Sequence, residues 1–235
     1  MALKISDKKK LITTCIWAVL GLLLVIYVVR ISLWEKNYYE TQEGSERAKV
    51  EKTGEDIAVD EPEEVDETEV TEEQRIEYTV PNGNPRYLSI PKLGIYNSRV
   101  IRVSKRGDGR LGTPNNIFDV GWYDGSSKPG QGGTMIIDGH NGGPNIEGVF
   151  KHINNLVQGD VIEIAVGGSD KIYKYRVEEN VEVKLSEADK YMNKEARKSP
   201  VEGKESITLI TCIGEWSEQQ KTYLSRQFVR AVLID

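Results

Sequence analysis

Apolar and polar positions alternate differently along three stretches of the chain. Residues 11–29 run for 19 positions without a charge. A helix over that run, rising 1.5 Å per residue, just crosses the ~30 Å of hydrocarbon in a bilayer. Residues 40–77 show no apolar period. Beyond residue 80, short runs rich in Val, Ile and Tyr recur between clusters of Gly, Pro and Asn, the pattern of strands punctuated by turns. These runs predict strands at 86–90, 98–103, 134–138, 160–166, 172–183, 206–212 and 225–234. Tyr173, Tyr175 and Val177 alternate with Lys174 and Arg176, as on a half-buried strand. Gly167-Gly168-Ser169-Asp170 reads as the turn of a hairpin. One stretch breaks the rule: Ile146, Val149, Phe150, Ile153, Leu156 and Val157 fall at helical spacing, and Gly159 follows as a stop, so a helix is expected over 146–157. Many short strands with one or two small helices in about 155 residues predict an all-β barrel or sandwich.

Charge sharpens the division. The net charge of −6 is uneven: residues 1–39 carry 6 basic and 2 acidic side chains (net +4), residues 40–77 carry 4 and 16 (net −12), and residues 78–235 carry 21 and 19 (net +2). Lys4, Lys8, Lys9 and Lys10 precede the apolar run, which the positive-inside bias reads as a cytoplasmic N-terminus. Trp34, Tyr38 and Tyr39 suit the outer interface. No small-residue cleavage site follows in Arg30-Ile31-Ser32-Leu33-Trp34, so the segment is expected to stay as an anchor rather than be removed as a signal peptide. The expected organisation is a basic tail (1–10), a transmembrane anchor (11–29), an extracellular acidic flexible linker (30–79) and a folded domain (80–235). The linker buries too little apolar surface to offset chain entropy, and residues 1–77 are expected to add nothing to the core. Its acids lack the spacing that wraps one calcium ion. The folded part, nearly neutral, has no basic face for nucleic acid. Two Cys and two His exclude a disulfide scaffold and a Cys/His zinc site.

Few residues are left to carry chemistry. Cys15 lies in the apolar run, so Cys212 is the lone thiol of the folded part, expected where the strand 206–212 meets a loop over 213–222. Free Cys is commonly just a buried apolar residue. His140 changes the balance. It follows the strand Thr134-Met135-Ile136-Ile137-Asp138 in a glycine-rich bend, a second strand end. An imidazolium near a thiol favours the nucleophilic thiolate. His152 sits off the apolar stripe of 146–157 and is expected to face water. Arg226, early in the last strand, offers a guanidinium to a developing oxyanion. Arg230, four residues on, is expected to be a rim ion pair.

Thr208-Leu209-Ile210-Thr211-Cys212 resembles the TLxTC signature of sortases. The resemblance extends in order through Ile90-Pro91-Lys92-Leu93-Gly94-Ile95, Gly139-His140, Gly148-Val149-Phe150, Gly159-Asp160 and the Arg-x-Phe-Val strand at Arg226, over about residues 87–234. Asp119-Val120-Gly121-Trp122-Tyr123, followed by Pro129-Gly130, is similar to the class F group. The resemblance implies a closed eight-stranded β-barrel and a cell-surface cysteine transpeptidase. Such an enzyme cuts a Leu-Pro-x-Thr-Gly-like sorting signal and passes the acyl group to an amine of a peptidoglycan precursor or a pilin lysine. Cys212 would be the nucleophile, His140 the general acid and base, and Arg226 the oxyanion donor. Thr208, Thr211 and Asn141 are expected to contact substrate. No metal or cofactor is implied. The short stretch between Cys212 and Arg226 argues against a long gating loop. Papain-like enzymes, with Cys before His, and L,D-transpeptidases, with Ser-x-Gly-Cys-x-Arg, fit poorly. A non-catalytic surface domain or adhesin on the same scaffold is the alternative.

Overall fold

The computed structural model describes residues 65–107 and 110–234. The expected anchor and most of the acidic linker lie outside them. No helix of the described residues is long and apolar enough to cross a membrane. The strands are β1 (Pro85–Ile90), β2 (Ile95–Val103), β3 (Val120–Tyr123), β4 (Thr134–Gly139), β5 (Val161–Val166), β6 (Ile172–Lys184), β7 (Ser206–Ser217) and β8 (Thr222–Leu233). They close into one barrel in the order β1-β2-β3-β4-β7-β8-β6-β5. The β2–β3 and β4–β7 pairs are parallel and the others antiparallel.

Alternation sends one face of each strand inward. Ile162, Ile164 and Val166 of β5 are buried while Val161, Glu163 and Ala165 are only partly so. Leu88, Val100, Ile137, Ile164, Tyr175, Leu209 and Val229 belong to one continuous core. β4 is buried at every position. Its inward residues, Met135 and Ile137, belong to that core; Ile136 and Asp138 share the opposite face and are covered as well.

Seven of the eight strands fall where the apolar runs place them. β3 was not among them: four residues with a glycine inside are too short for an alternation to register. The helix expected over 146–157 does not form. The amides of Gly148, Val149 and Phe150 donate outward to the carbonyls of Asn141, Ile117 and His140, so no i→i−4 ladder can start. Only a short 3₁₀ turn remains at Ile153–Asn155. The apolar period is nonetheless real in part, because Phe150, Ile153 and Leu156 are buried in the core.

Two helices stand where none was expected. α1 (Glu72–Glu77) is capped by Thr71, whose hydroxyl accepts from the Gln74 amide while the Gln74 side chain accepts from the Thr71 amide. α2 (Leu185–Lys194) buries only Ala188 of its own residues. Tyr191 and Met192 on it pack on Phe228 and Val183, on the outer side of β6 and β8.

The flexible linker expected over 30–79 is also corrected at its C-terminal end. Val70 is 5% exposed. Arg75 donates to the carbonyls of Tyr96 and Asn97, and the Tyr78 hydroxyl to that of Val100. Glu67 accepts from the Asn145 and Ile146 amides and the Asn145 side chain. An acidic stretch thus acquires structure because its carboxylates meet backbone N–H groups, a pairing that composition does not reveal.

Candidate active site

The site is built where β4, β7 and β8 run side by side. In the parallel β4–β7 pair Asp138 lies opposite Ile210; two residues on, His140 stands just past the end of β4 and Cys212 within β7. In the β7–β8 pair Cys212 lies directly opposite Arg226. The register therefore sets imidazole, thiol and guanidinium in one row, and all three line a single cleft of about 1210 Å³. The Thr211 hydroxyl donates to the Gly139 carbonyl at 2.8 Å and ties β4 to β7 at this level. Gly139 is required: the Phe150 ring packs so close that a Cβ there would lie 2.6 Å from it.

The surroundings of each group are specific. Burial pushes the Cys212 thiol above its ordinary range; Arg226 pulls it down and Asp138 pushes it up. His140 Nε2 lies 2.7 Å from the Pro114 carbonyl. A carbonyl only accepts, so Nε2 carries a hydrogen there, and Nδ1 is the nitrogen at which a proton comes and goes. Arg226 is held by its own hairpin: Nη1 donates to the Tyr223 and Ser225 carbonyls at 2.9 Å, and Nη2 to the Thr222 hydroxyl at 3.0 Å. These acceptors are neutral, so the full positive charge stays beside the thiol.

Cys212 does not end its strand. β7 continues to Ser217 and turns through Glu218–Lys221 into β8, so the expected loop over 213–222 is mostly a β-hairpin with Trp216 edge-on to Tyr223. Trp216 and Tyr223 form part of the cleft wall. Thr211 and Asn141 line the cleft, but Thr208 does not. Its hydroxyl is buried and donates to the Ala196 carbonyl at 2.8 Å, beneath the α2 layer. The period of two explains the error: Thr208 shares the outer face of β7 with Cys212 but stands four residues, or about 13 Å, away along the strand. His152 faces water and pairs with Glu147 at 3.0 Å. Arg230 is an ion pair with Glu179, but its own side chain is buried and also donates to the Lys198 carbonyl.

Residues the sequence reading passed over also reach the site. Val65 and Thr113 line the cleft, and so does Asp138. The one visible signal was Asp138 itself, a carboxylate ending the otherwise apolar Met135-Ile136-Ile137 run.

A closed barrel with a thiol, an imidazole and a guanidinium in one cleft has the groups that acyl transfer through cysteine requires. The Sortase domain model matches residues 88–234. The chain belongs to the sortase family and is a cysteine transpeptidase. Similar solved structures include a SrtA sortase from Actinomyces oris, 22% identical with a TM-score of 0.47, covering 66% of this chain and 83% of that one. Sortase A from Corynebacterium diphtheriae is 24% identical with a TM-score of 0.47, covering 66% of this chain and 63% of that one. A sortase D5 transpeptidase from Clostridium perfringens is 22% identical with a TM-score of 0.45, covering 71% and 90%. No curated protein matches the chain.

Proposed function

We propose that this sortase cleaves a Leu-Pro-x-Thr-Gly-like sorting signal of a surface protein or pilin and joins the new C-terminus to an amine of a peptidoglycan precursor or a pilin lysine. The observation that carries the reading is the row His140–Cys212–Arg226 across three adjacent strands. The Cys212 sulfur attacks the threonine carbonyl carbon, and the Arg226 guanidinium donates to the oxygen as it becomes negative. The C–N bond breaks, and His140 protonates the leaving amine from Nδ1. The acceptor amine then attacks the thioester, His140 takes its proton, and the sulfur departs. Since burial raises the thiol, the reactive thiolate is a minor form of the resting enzyme, favoured by the Arg226 charge. Thr211 and Asn141 position the substrate in the cleft.

The charge pattern around residues 11–29 supports a single-pass anchor with the N-terminus in the cytoplasm and the barrel outside. Tethered there, enzyme and membrane-bound substrate meet at raised effective concentration. The Asp119–Tyr123 run and Pro129-Gly130 favour kinship with class F. Incubating the protein with Leu-Pro-x-Thr-Gly-like peptides and a small amine, with products read by mass, tests the reading. Cleavage after threonine with the amine joined to it is expected; no cleavage of any such peptide contradicts it.

A further inference from the structure

Asp138 lines the same cleft as Cys212, His140 and Arg226 but has no part in the steps above. It ends the outer face of β4, two residues before His140. Its Oδ1 is buried and has no hydrogen-bond partner. That oxygen lies against the backbone of β3, where a Cβ on residue 121 would stand 2.3 Å from it, so Gly121 leaves it the only space it has. A buried carboxyl with an unsatisfied oxygen is costly as an anion, and a strand position opposite Ile210 would be met more cheaply by an apolar side chain.

The groups facing it are few. The Thr113 hydroxyl and the positive charge of Arg106, both from the β2–β3 connection, favour the carboxylate. From β7 comes Cys212, with Arg226 beyond it on β8, and His140 follows on β4 itself. On the β3 side Gly121 and Pro114 bring no charge. Burial outweighs these attractions and pushes the carboxyl up to about 7. As an anion it opposes ionisation of Cys212.

We propose that Asp138 is a positioning residue of the transpeptidation site: its carboxyl, by holding or losing a proton beside Cys212, sets how readily that thiol becomes the thiolate. With the carboxyl protonated, Arg226 is the dominant charge at Cys212 and the thiolate is favoured. With the carboxylate formed, the two anions oppose one another and the thiol holds its proton to higher pH. The proposal rests on Cys212 being the nucleophile.

The test is the pH profile of Cys212 alkylation by iodoacetamide in the full chain, read by mass on the peptide that contains Cys212, so that Cys15 does not contribute. In Asp138→Asn the rate at pH 8 is expected to rise about tenfold, one pK unit of thiol acidity. Below about pH 6, where the native carboxyl is already neutral, the rate is expected to match the wild type. Thr113→Val removes a donor that holds the carboxylate, so it is expected to move the profile the same way by less. Superimposable profiles, or an equal change at every pH in both variants, overturn the proposal. Turnover retained by Cys212→Ala instead overturns the nucleophile assignment and this proposal with it; loss of turnover in Cys212→Ala with an unmoved Asp138→Asn profile overturns this proposal alone.

Discussion

The two imidazoles of the chain meet opposite surroundings. His140 is held by the Pro114 carbonyl in the cleft, whereas His152 is exposed and pairs with a carboxylate that is itself exposed. His140→Ala is expected to abolish turnover, because no other described side chain in the Cys212 row can pass the proton. His152→Ala is expected to leave the rate unchanged and stability within about 0.5 kcal/mol. The two arginines of β8 separate in a different way. Arg226→Lys keeps a charge but loses the planar fork, and a fall in kcat of ~10²–10³ is expected, the cost of one oxyanion donor elsewhere. Arg230 is 5% exposed and bound to Glu179 and the Lys198 carbonyl, so Arg230→Lys should lower the melting temperature far more than it lowers kcat per folded enzyme. Thr208→Val is expected to cost about 1–3 kcal/mol, by leaving the Ala196 carbonyl unpaired, with KM unchanged. A raised KM in that variant would return Thr208 to the substrate groove. Of the candidate site, Cys212, His140, Arg226, Thr211 and Asn141 were legible as cleft residues because they lie within or beside the 134–140 and 208–212 runs and the last strand. Asp138 was not, because what makes it unusual, Gly121 and Thr113, lies 17 and 25 residues away in sequence.

Among the elements, β5 and the first half of β6 carry the plainest alternation, whereas β7 and β8, buried over consecutive positions, were legible as apolar runs. The 146–157 stretch shows how the same signal misleads. Phe150, Ile153 and Leu156 do reach the core while Ile146 and Val157 stay exposed, and the amides of Gly148, Val149 and Phe150 bond to the segment after β4 and to Ile117, so a helical spacing is realised in turns. α2 was hidden for the converse reason: most of Leu185–Lys194 is exposed and polar, and its helical state depends on Tyr191 and Met192 meeting Phe228 from a distant strand. Residues 65–79 were misjudged on composition alone. A protein beginning at residue 80 is expected to melt below one beginning at residue 61, since it lacks Val70, the Tyr78–Val100 bond and the Glu67 bonds to the turn at Asn145. Equal melting temperatures would mean this segment adds nothing to the fold.

For the molecule as a whole, Asp138 also leaves a mark on stability. Its folded carboxyl titrates at about 7, above the ~3.9 of an unfolded chain, so between these values the native state holds a proton that the unfolded state has released. The contribution is fully present below about pH 4 and is lost as pH rises through about 7. The wild type is therefore expected to lose melting temperature across that window relative to Asp138→Asn; parallel curves would contradict the buried, raised carboxyl.

A thioester on Cys212 is the intermediate that transpeptidation by this site requires. The protein is incubated briefly with a Leu-Pro-x-Thr-Gly peptide without added amine, quenched in acid, digested and mapped by mass. The expected result is the acyl fragment ending in threonine on the peptide that contains Cys212, released by hydroxylamine, accumulating in His140→Ala no faster than in wild type and absent from Cys212→Ala. Cleavage that persists in Cys212→Ala, or an acyl adduct on any other residue, would contradict it.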